Sequence, residues 1–461
     1  MGEMGRLMIS VSGVRGVVGE GLDPITVAKF GAAFGTFLGK GSTVVVGRDT
    51  RTSGEMVKSL AVGGLLSTGC RVIDVGICPT PTIQMAVLHH KADGGVAVTA
   101  SHNPAEWNAL KFVGSDGVFL DRDEGERLLS IYNDPGRFRY ARWDEIKPVE
   151  RDDGAIERHV GAVLEFVDAG AIKGRRFRVA VDCCNGAGAL VIPELLRRLG
   201  CEVVAIHCEP TGLFPHDPEP VAMNISELCR VVAESGADVG FAFDADVDRL
   251  AIVADGGEPL GEEMTLALTV DHFLSSRRKG PVVTNVSTTM AVDEVARRHG
   301  CEVIRAPVGE VNVCKAMREH GAVIGGEGNG GVIVPDVHLG RDAVVGAALI
   351  LEYMAASGEP VSALASRIPR YFMLKEKVPL PEGASREGLL SEVRALFGGM
   401  DLDLTDGVKV FYEDGWLHIR PSGTEPVARV IVEAESEARA RELAEEGRRA
   451  VEEAISRLAD G

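Results

Sequence analysis

Three short runs of β-branched and apolar residues recur along the chain, Thr43 to Val46, Arg178 to Val181 and Val282 to Thr284. Each is too short for a buried helix and reads as a buried strand. Each is followed by a helical stretch that closes on a Gly-Cys pair and a second strand: Gly69-Cys70-Arg71-Val72-Ile73, Gly200-Cys201-Glu202-Val203-Val204 and Gly300-Cys301-Glu302-Val303-Ile304. Glycine just past a helix is a stop signal, because it takes a left-handed backbone without strain. A third apolar strand completes each unit, at Gly95 to Thr99, Asp238 to Phe243 and Ala322 to Gly325. Strands and helices alternating in this way predict an α/β fold, three similar units each with a largely parallel sheet covered on both faces. After Ile368 the pattern changes. Lys375 to Val378, Val408 to Tyr412, Trp416 to Ile419 and Val427 to Val432 predict a strand meander, and a helix over 436–458 carries Leu443, Val451, Ile455 and Leu458 toward it. That is an α+β unit. The charged stretch 134–153, with Pro and Gly, reads as the first joint, and the expected units are 1–150, 151–253, 254–367 and 368–461.

At 461 residues the chain exceeds a single ordinary core, which agrees with several units. No run of apolar residues is long enough to span a membrane, and no secretory leader pattern opens the sequence. With 49 basic against 68 acidic residues the net charge is −19, which argues against a broad nucleic-acid surface. Positive charge for an anionic ligand must then be local. Nine cysteines without a CxxC pair read as reduced thiols, so a cytoplasmic protein is expected.

Each third strand runs into a polar loop, where open α/β sheets bind ligands. In Thr99-Ala100-Ser101-His102-Asn103-Pro104, a serine on a turn after a buried strand can present its hydroxyl to a cleft and carry a phosphoryl group. His102 is near enough to hydrogen-bond it or move a proton. In Asp244-Ala245-Asp246-Val247-Asp248-Arg249, three carboxylates at alternate positions repel one another unless a cation joins them, and an oxygen-only set suits Mg2+. In Gly326-Glu327-Gly328-Asn329-Gly330-Gly331, the glycines admit a ligand to the backbone, while Glu327 and Asn329 can bond hydroxyls. A fourth site, Arg420-Pro421-Ser422-Gly423-Thr424-Glu425-Pro426, joins an arginine to hydroxyls and a glycine-freed backbone, as phosphate binding requires. Arg15, between Gly13 and Gly16, offers a similar contact, whereas Arg48 and Arg51 read as a structural salt-bridge cluster around Asp49.

Together the four loops, in this order and at these intervals, resemble the α-D-phosphohexomutase family, and the resemblance runs from Ser12-Gly13-Val14-Arg15-Gly16 to the Arg420 loop. It implies four domains around a central cleft, three α/β and the last a smaller α+β domain. It implies that Ser101 is the phosphorylated serine and that Asp244, Asp246 and Asp248 hold Mg2+ with it. Glu327 would read sugar hydroxyls, and Arg420, Ser422, Gly423 and Thr424 would hold the substrate's non-reacting phosphate. Lys111 falls where the family has a lysine in proton transfer or binding, and Arg249 would steady the aspartate loop or the sugar. The expected substrate is a phosphorylated hexose, the intermediate a sugar bisphosphate, and a homodimer is the candidate quaternary state. Two departures stand out: the sugar loop has Asn329 where the family has serine and Gly331 where it has histidine, and Ala109 stands where glycine is frequent. This combination is most similar to the phosphoglucosamine mutases, so interconversion of glucosamine 6-phosphate and glucosamine 1-phosphate is expected. Phosphomannomutase or phosphoglucomutase activity is the alternative. A Mg2+-dependent phosphatase is the rival class, disfavoured because a hydrolase need not hold the far phosphate in two orientations.

Overall fold

The computed structural model describes residues 7–10, 13–381, 383–422 and 426–460. In each of the first three units the first strand lies at the centre with two parallel neighbours: Thr43–Arg48 between Arg71–Ile77 and Gly94–Val98, Arg178–Asp182 between Glu202–Ile206 and Val239–Phe243, and Val282–Asn285 between Val303–Ala306 and Ile324–Glu327. The threefold repeat read from the sequence is therefore a threefold repeat of topology. Gly69, Gly200 and Gly300, with φ of 82°, 76° and 71°, make the same left-handed turn into the second strand of each unit.

The expectation of largely parallel sheets needs correcting. After its third strand each unit turns back antiparallel, through Trp107–Gly114, Leu250–Ala254 and Gly331–Val334. A parallel return needs a crossover of roughly a dozen residues or more. The intervening loops, which are those that carry the polar motifs, are too short for one. The consequence is functional, because each polar loop becomes a tight turn at the end of a fully buried strand rather than the start of a crossover. The first sheet is extended further by Gly13–Val17 and Met8–Ser10 at one edge and by Glu150–Arg151 at the other.

The fourth unit is an antiparallel sheet ordered Phe372–Pro379, Val427–Ala434, Gly415–Pro421, Val408–Tyr412, Leu402–Asp403. Helix Glu437–Asp460 packs on it through buried Leu443 and Val451, with Ile455 at the margin of the core. Leu458 is exposed and lies beside Gly388 rather than in the core. A second helix, Arg386–Leu396, was not legible in the sequence pattern. Among the described residues no helix is long and apolar enough to cross a membrane.

Buried polar contacts join the units. Asp342, at the start of helix Ala343–Ser357 in the third unit, meets His159 Nε2 of the second at 2.8 Å while capping its own helix at Val344 N. The fourth unit meets the third where Glu433 Oε2 accepts from Trp416 Nε1 and from Met290 N, both at 2.8 Å. Beside it, buried Lys409 reaches the Val286 carbonyl at 2.6 Å, with Nζ 3.8 Å from the Trp416 ring. Burial, with the charge of Arg305 second, pushes the Lys409 ammonium down to about 7 from 10.5. Folding thus sheds a proton between those values, so stability rises as pH climbs from 7 toward 10. Lys409→Met is expected to flatten that slope in thermal midpoints measured across the range.

Candidate active site

Ser101 sits one turn beyond strand Gly94–Val98, with a left-handed φ of 50° that few non-glycine residues adopt. A buried scaffold holds it there. Ser101 N donates to Thr99 Oγ1 (2.9 Å), and Thr99 Oγ1 donates to Asp49 Oδ2 (2.6 Å). Arg51 Nε pairs with the same Asp49 oxygen, and its remaining guanidinium hydrogens go to the carbonyls of Ser101, Asn103, Pro104 and Trp107 at 2.5–3.1 Å. Arg51 is 1% exposed. The salt-bridge cluster expected there is a mould for the serine loop, and only the planar five-donor fork of arginine could fill it. Arg48 instead lies beside Glu55 near the surface.

The loop of the second unit closes on this serine. Ser101 Oγ donates to Asp244 Oδ2 at 2.6 Å, across 143 residues of sequence. Asp244 Oδ1 accepts from Asp248 N and Arg249 N, which folds the aspartate loop around its first member. Asp246 Oδ2 accepts from Thr80 Oγ1 (2.7 Å) and from Lys111 Nζ (2.8 Å), and Asp248 Oδ2 from Arg341 Nη2 (2.7 Å). All three aspartates are fully buried. Burial and its two acidic neighbours push the Asp244 carboxyl well above the usual carboxylate range. At Asp246, burial is outweighed by Lys111 and by hydrogen bonds, which hold it well below that range. Burial alone would lower Lys111, but Asp246 and Asp248 raise it.

One oxygen from each of the three aspartates lies within 4.8 Å of the others, and among the described residues the buried Asp246 Oδ1 and Asp248 Oδ1 find no hydrogen-bond partner. Orphaned carboxylate oxygens in a dry site cost several kcal/mol unless a cation meets them. The donor set therefore fits a hard divalent ion.

His102 Nδ1 is 3.5 Å from Ser101 Oγ. Burial, then the charges of Arg249, Arg15 and Lys111, hold its imidazole well below its ordinary range. These groups share a cavity of about 230 Å³ whose wall includes Arg15, Ser101, His102, Lys111, Arg249 and Arg341. The local positive charge that the −19 chain requires is here. Arg15 Nη1 reaches Asn103 Oδ1 at 3.3 Å, and Arg249 is braced by Glu219 at 2.9 Å.

Arg341 was not singled out in the sequence. It is the hub of the site: besides Asp248, it pairs with Glu327 Oε2 (3.0 Å) and Glu310 Oε2 (3.0 Å). The signal available was a lone arginine before the apolar helix Ala343–Ser357, which is too common to act on. Glu327 is buried, and its other oxygen accepts from Asn285 Nδ2 and Gly309 N. Asn329 turns inward to accept from Gly331 N, so it closes the loop rather than facing the serine. A Cβ on Gly331 would stand 2.3 Å from Arg341 Cδ. The glycine at 331 is what lets Arg341 cross the loop.

Arg420 does not line the serine cavity. Its Nη1 pairs with Asp406 Oδ2 (2.6 Å), which also accepts from Val308 N. Since Gly309 N bonds Glu327, a chain of contacts runs from Arg420 to the aspartate loop through residues 308–309, Glu327 and Arg341. Ser422 is buried and its N–H meets the Val427 carbonyl; Gly423 and Thr424 lie outside the described residues.

Four domain patterns of a single family match the chain in order: Phosphoglucomutase/phosphomannomutase alpha/beta/alpha domain I over residues 6–137, domain II over 157–257, domain III over 262–371, and the C-terminal domain over 376–450. The chain belongs to the phosphoglucomutase/phosphomannomutase family. Full-length relatives agree. A "Phosphoglucomutase/phosphomannomutase" of Thermococcus kodakarensis is 43% identical, over 98% of this chain and 100% of its own. A "Probable phosphoglucosamine mutase" of Methanopyrus kandleri is 42% identical, over 96% and 98%. A crystal structure of a phosphoglucomutase/phosphomannomutase family protein from Burkholderia thailandensis superposes with a TM-score of 0.85 at 29% identity, covering 97% of each chain. The phosphohexomutase resemblance and the four-unit architecture expected from sequence are both shown by these matches.

Within this family member, the Arg51 mould makes a sharp prediction. Arg51→Lys keeps the charge but abandons several buried carbonyls, so it is expected to cost about 3 kcal/mol of stability. Hydrogen exchange should speed up selectively over residues 99–107. Unchanged exchange there would contradict the assigned role.

Proposed function

We propose that this chain is a phosphoglucosamine mutase, an intramolecular phosphotransferase that interconverts glucosamine 6-phosphate and glucosamine 1-phosphate through a phosphoserine at Ser101 and a bisphosphorylated sugar. The observation that carries the proposal is the 2.6 Å contact between Ser101 Oγ and Asp244, inside a cation-lined cavity. The phosphoglucosamine mutase name of the Methanopyrus relative supports the amino sugar. The name of the Thermococcus relative supports the second reading, glucose or mannose phosphates, for the same site.

In the proposed mechanism a hydroxyl oxygen of the sugar phosphate attacks the phosphorus carried on Ser101 Oγ. The new O–P bond forms as the Oγ–P bond breaks, and the hydroxyl proton leaves toward His102, whose ring is in reach. Lys111 keeps its ammonium beside the reacting group and offsets the charge returning to Oγ. The bisphosphate then turns and gives its other phosphoryl group back to Ser101. Asp244, Asp246 and Asp248 would hold Mg2+ next to Ser101, and that ion supplies charge neutralisation on the transferring oxygens. Arg15 and Arg249 steady the anion at the reacting end, while Arg420, Ser422, Gly423 and Thr424 hold the far phosphate in either orientation. Glu327 has three of its roughly four acceptor sites filled, which leaves one lone pair to read a sugar hydroxyl. Asn329 serves by shaping that loop. Arg341 supplies the cationic group that the sugar loop lacks at Gly331. The units would divide at 150/151, 253/254 and 367/368, in a cytoplasmic enzyme.

Side-by-side turnover of glucosamine, glucose and mannose phosphates, primed with the matching bisphosphate, tests the reading. Glucosamine phosphate should have the highest kcat/KM, a chelator should stop turnover, and Mg2+ should restore it. Ser101→Ala should lower kcat on the order of 10³-fold or more with the fold intact. Preference for glucose or mannose would select the second reading, and free phosphate without isomer would indicate hydrolysis. Arg341→Met should lose about 10- to 100-fold in kcat/KM, since it orients both Asp248 and Glu327. A wild-type rate would remove Arg341 from the account.

A further inference from the structure

Outside the catalytic cleft, one cluster of side chains brings two imidazoles onto a single buried carboxylate oxygen. Asp182 ends strand Arg178–Asp182, His207 follows strand Glu202–Ile206, and His216 lies in the loop beyond. Asp182 Oδ2 is 3.0 Å from His207 Nδ1 and 3.0 Å from His216 Nε2, and one ligand atom from each of the three residues lies within 4.8 Å of the others. Asp182 is buried, and its Oδ1 is fixed by Cys184 N at 2.8 Å.

The outward nitrogens of both rings also face oxygens, that of His216 through a hydrogen bond and that of His207 through a longer contact. His216 Nδ1 lies 2.8 Å from the Asp217 carbonyl, and His207 Nε2 lies 3.4 Å from Glu227 Oε2. A neutral imidazole has one N–H, yet each ring here faces an oxygen acceptor at both nitrogens. If each donates outward, two lone pairs converge on a carboxylate oxygen, and a positive charge must lie between them. Two protons could provide it, one on each ring. A single divalent cation provides the same charge, and a carbonyl bonded to the outward side of one ring, with a carboxylate facing the other, is the setting that orients metal-binding histidines.

We propose that Asp182, His207 and His216 form a second metal site, for Zn2+ or a similar late first-row divalent cation, with a fourth position open to water. Two imidazoles and one carboxylate suit such an ion, whereas the three aspartates of the cleft suit a harder one. Cys184 Sγ is 3.9 Å from His216 Nδ1, on the outward side of that ring, and so stays outside the ligand set. The site ties down a loop that touches the serine mould. Asn185 O accepts from Thr50 Oγ1 at 2.9 Å, and the Phe214 ring lies 4.9 Å from the Arg51 guanidinium. Zinc here would be structural, holding the second unit against the first.

The test uses the full chain, stripped by chelator and kept in a large excess of Mg2+ to occupy the aspartate triad. After Zn2+ addition and gel filtration, elemental analysis should find one Zn2+ per chain, and Co2+ should give the intense visible absorption of a four-coordinate site. Asp246→Asn should retain the ion, and His216→Gln should lose it. Glu227→Gln, a change at a half-exposed side chain that leaves the fold intact, should weaken Zn2+ binding about 10- to 100-fold. A wild-type chain without stoichiometric Zn2+ overturns the proposal and leaves the doubly protonated histidine pair. Wild-type affinity in the His216 and Glu227 variants, or loss of the ion in Asp246→Asn, overturns it as well.

Discussion

Three carboxylates buried on a single turn form the constraint around which this molecule is organised. Three negative charges in a dry pocket would unfold the loop that bears them unless each found compensation. That compensation comes from other units: Lys111 and the Ser101 hydroxyl from the first, Arg341 from the third. Thr80, also from the first unit, adds its hydroxyl to Asp246. The aspartate loop thus finds its partners where three units meet.

The same network reaches Arg420, where the proposed mechanism puts the far phosphate. Arg341 links Asp248 to Glu327, Glu327 is tied to Gly309, and its neighbour Val308 is tied through Asp406 to Arg420. Each contact is a polar bond of 2.6–3.0 Å. A continuous run of polar contacts thus connects the last unit to the aspartates. For a reaction in which one sugar must present both ends in turn, such a path gives a physical means for the phosphate clamp to sense the reacting end.

Much of this was legible in the sequence, and the reasons are specific. Buried central strands must be short, apolar and β-branched, so the repeat at Thr43, Arg178 and Val282 was visible. Ser101 and the aspartate loop stood out because polar residues directly after such strands have no packing purpose. The antiparallel returns were hidden, because the strand at Leu250–Ala254 reads alike in either direction. Arg341 was hidden for a different reason. Its importance comes from three acids at positions 248, 310 and 327, brought together only by the fold, and from the missing side chain at Gly331, which reads as a loss until the arginine is seen to occupy its place. Arg51 and Asp49 were visible as a pair, but their grip on the carbonyls of the serine loop was not.

The central claim is that Ser101 Oγ, backed by the aspartates, is the atom that carries the phosphoryl group. Incubating the Mg2+-loaded chain with a glucosamine bisphosphate labelled in its phosphates, then mapping the label by peptide mass spectrometry, tests it most directly. Close to one labelled phosphoryl group per chain is expected, confined to the peptide containing Ser101 and discharged by added glucosamine 6-phosphate. Label on another residue, or sugar phosphate turnover with Ser101 never labelled, would contradict it.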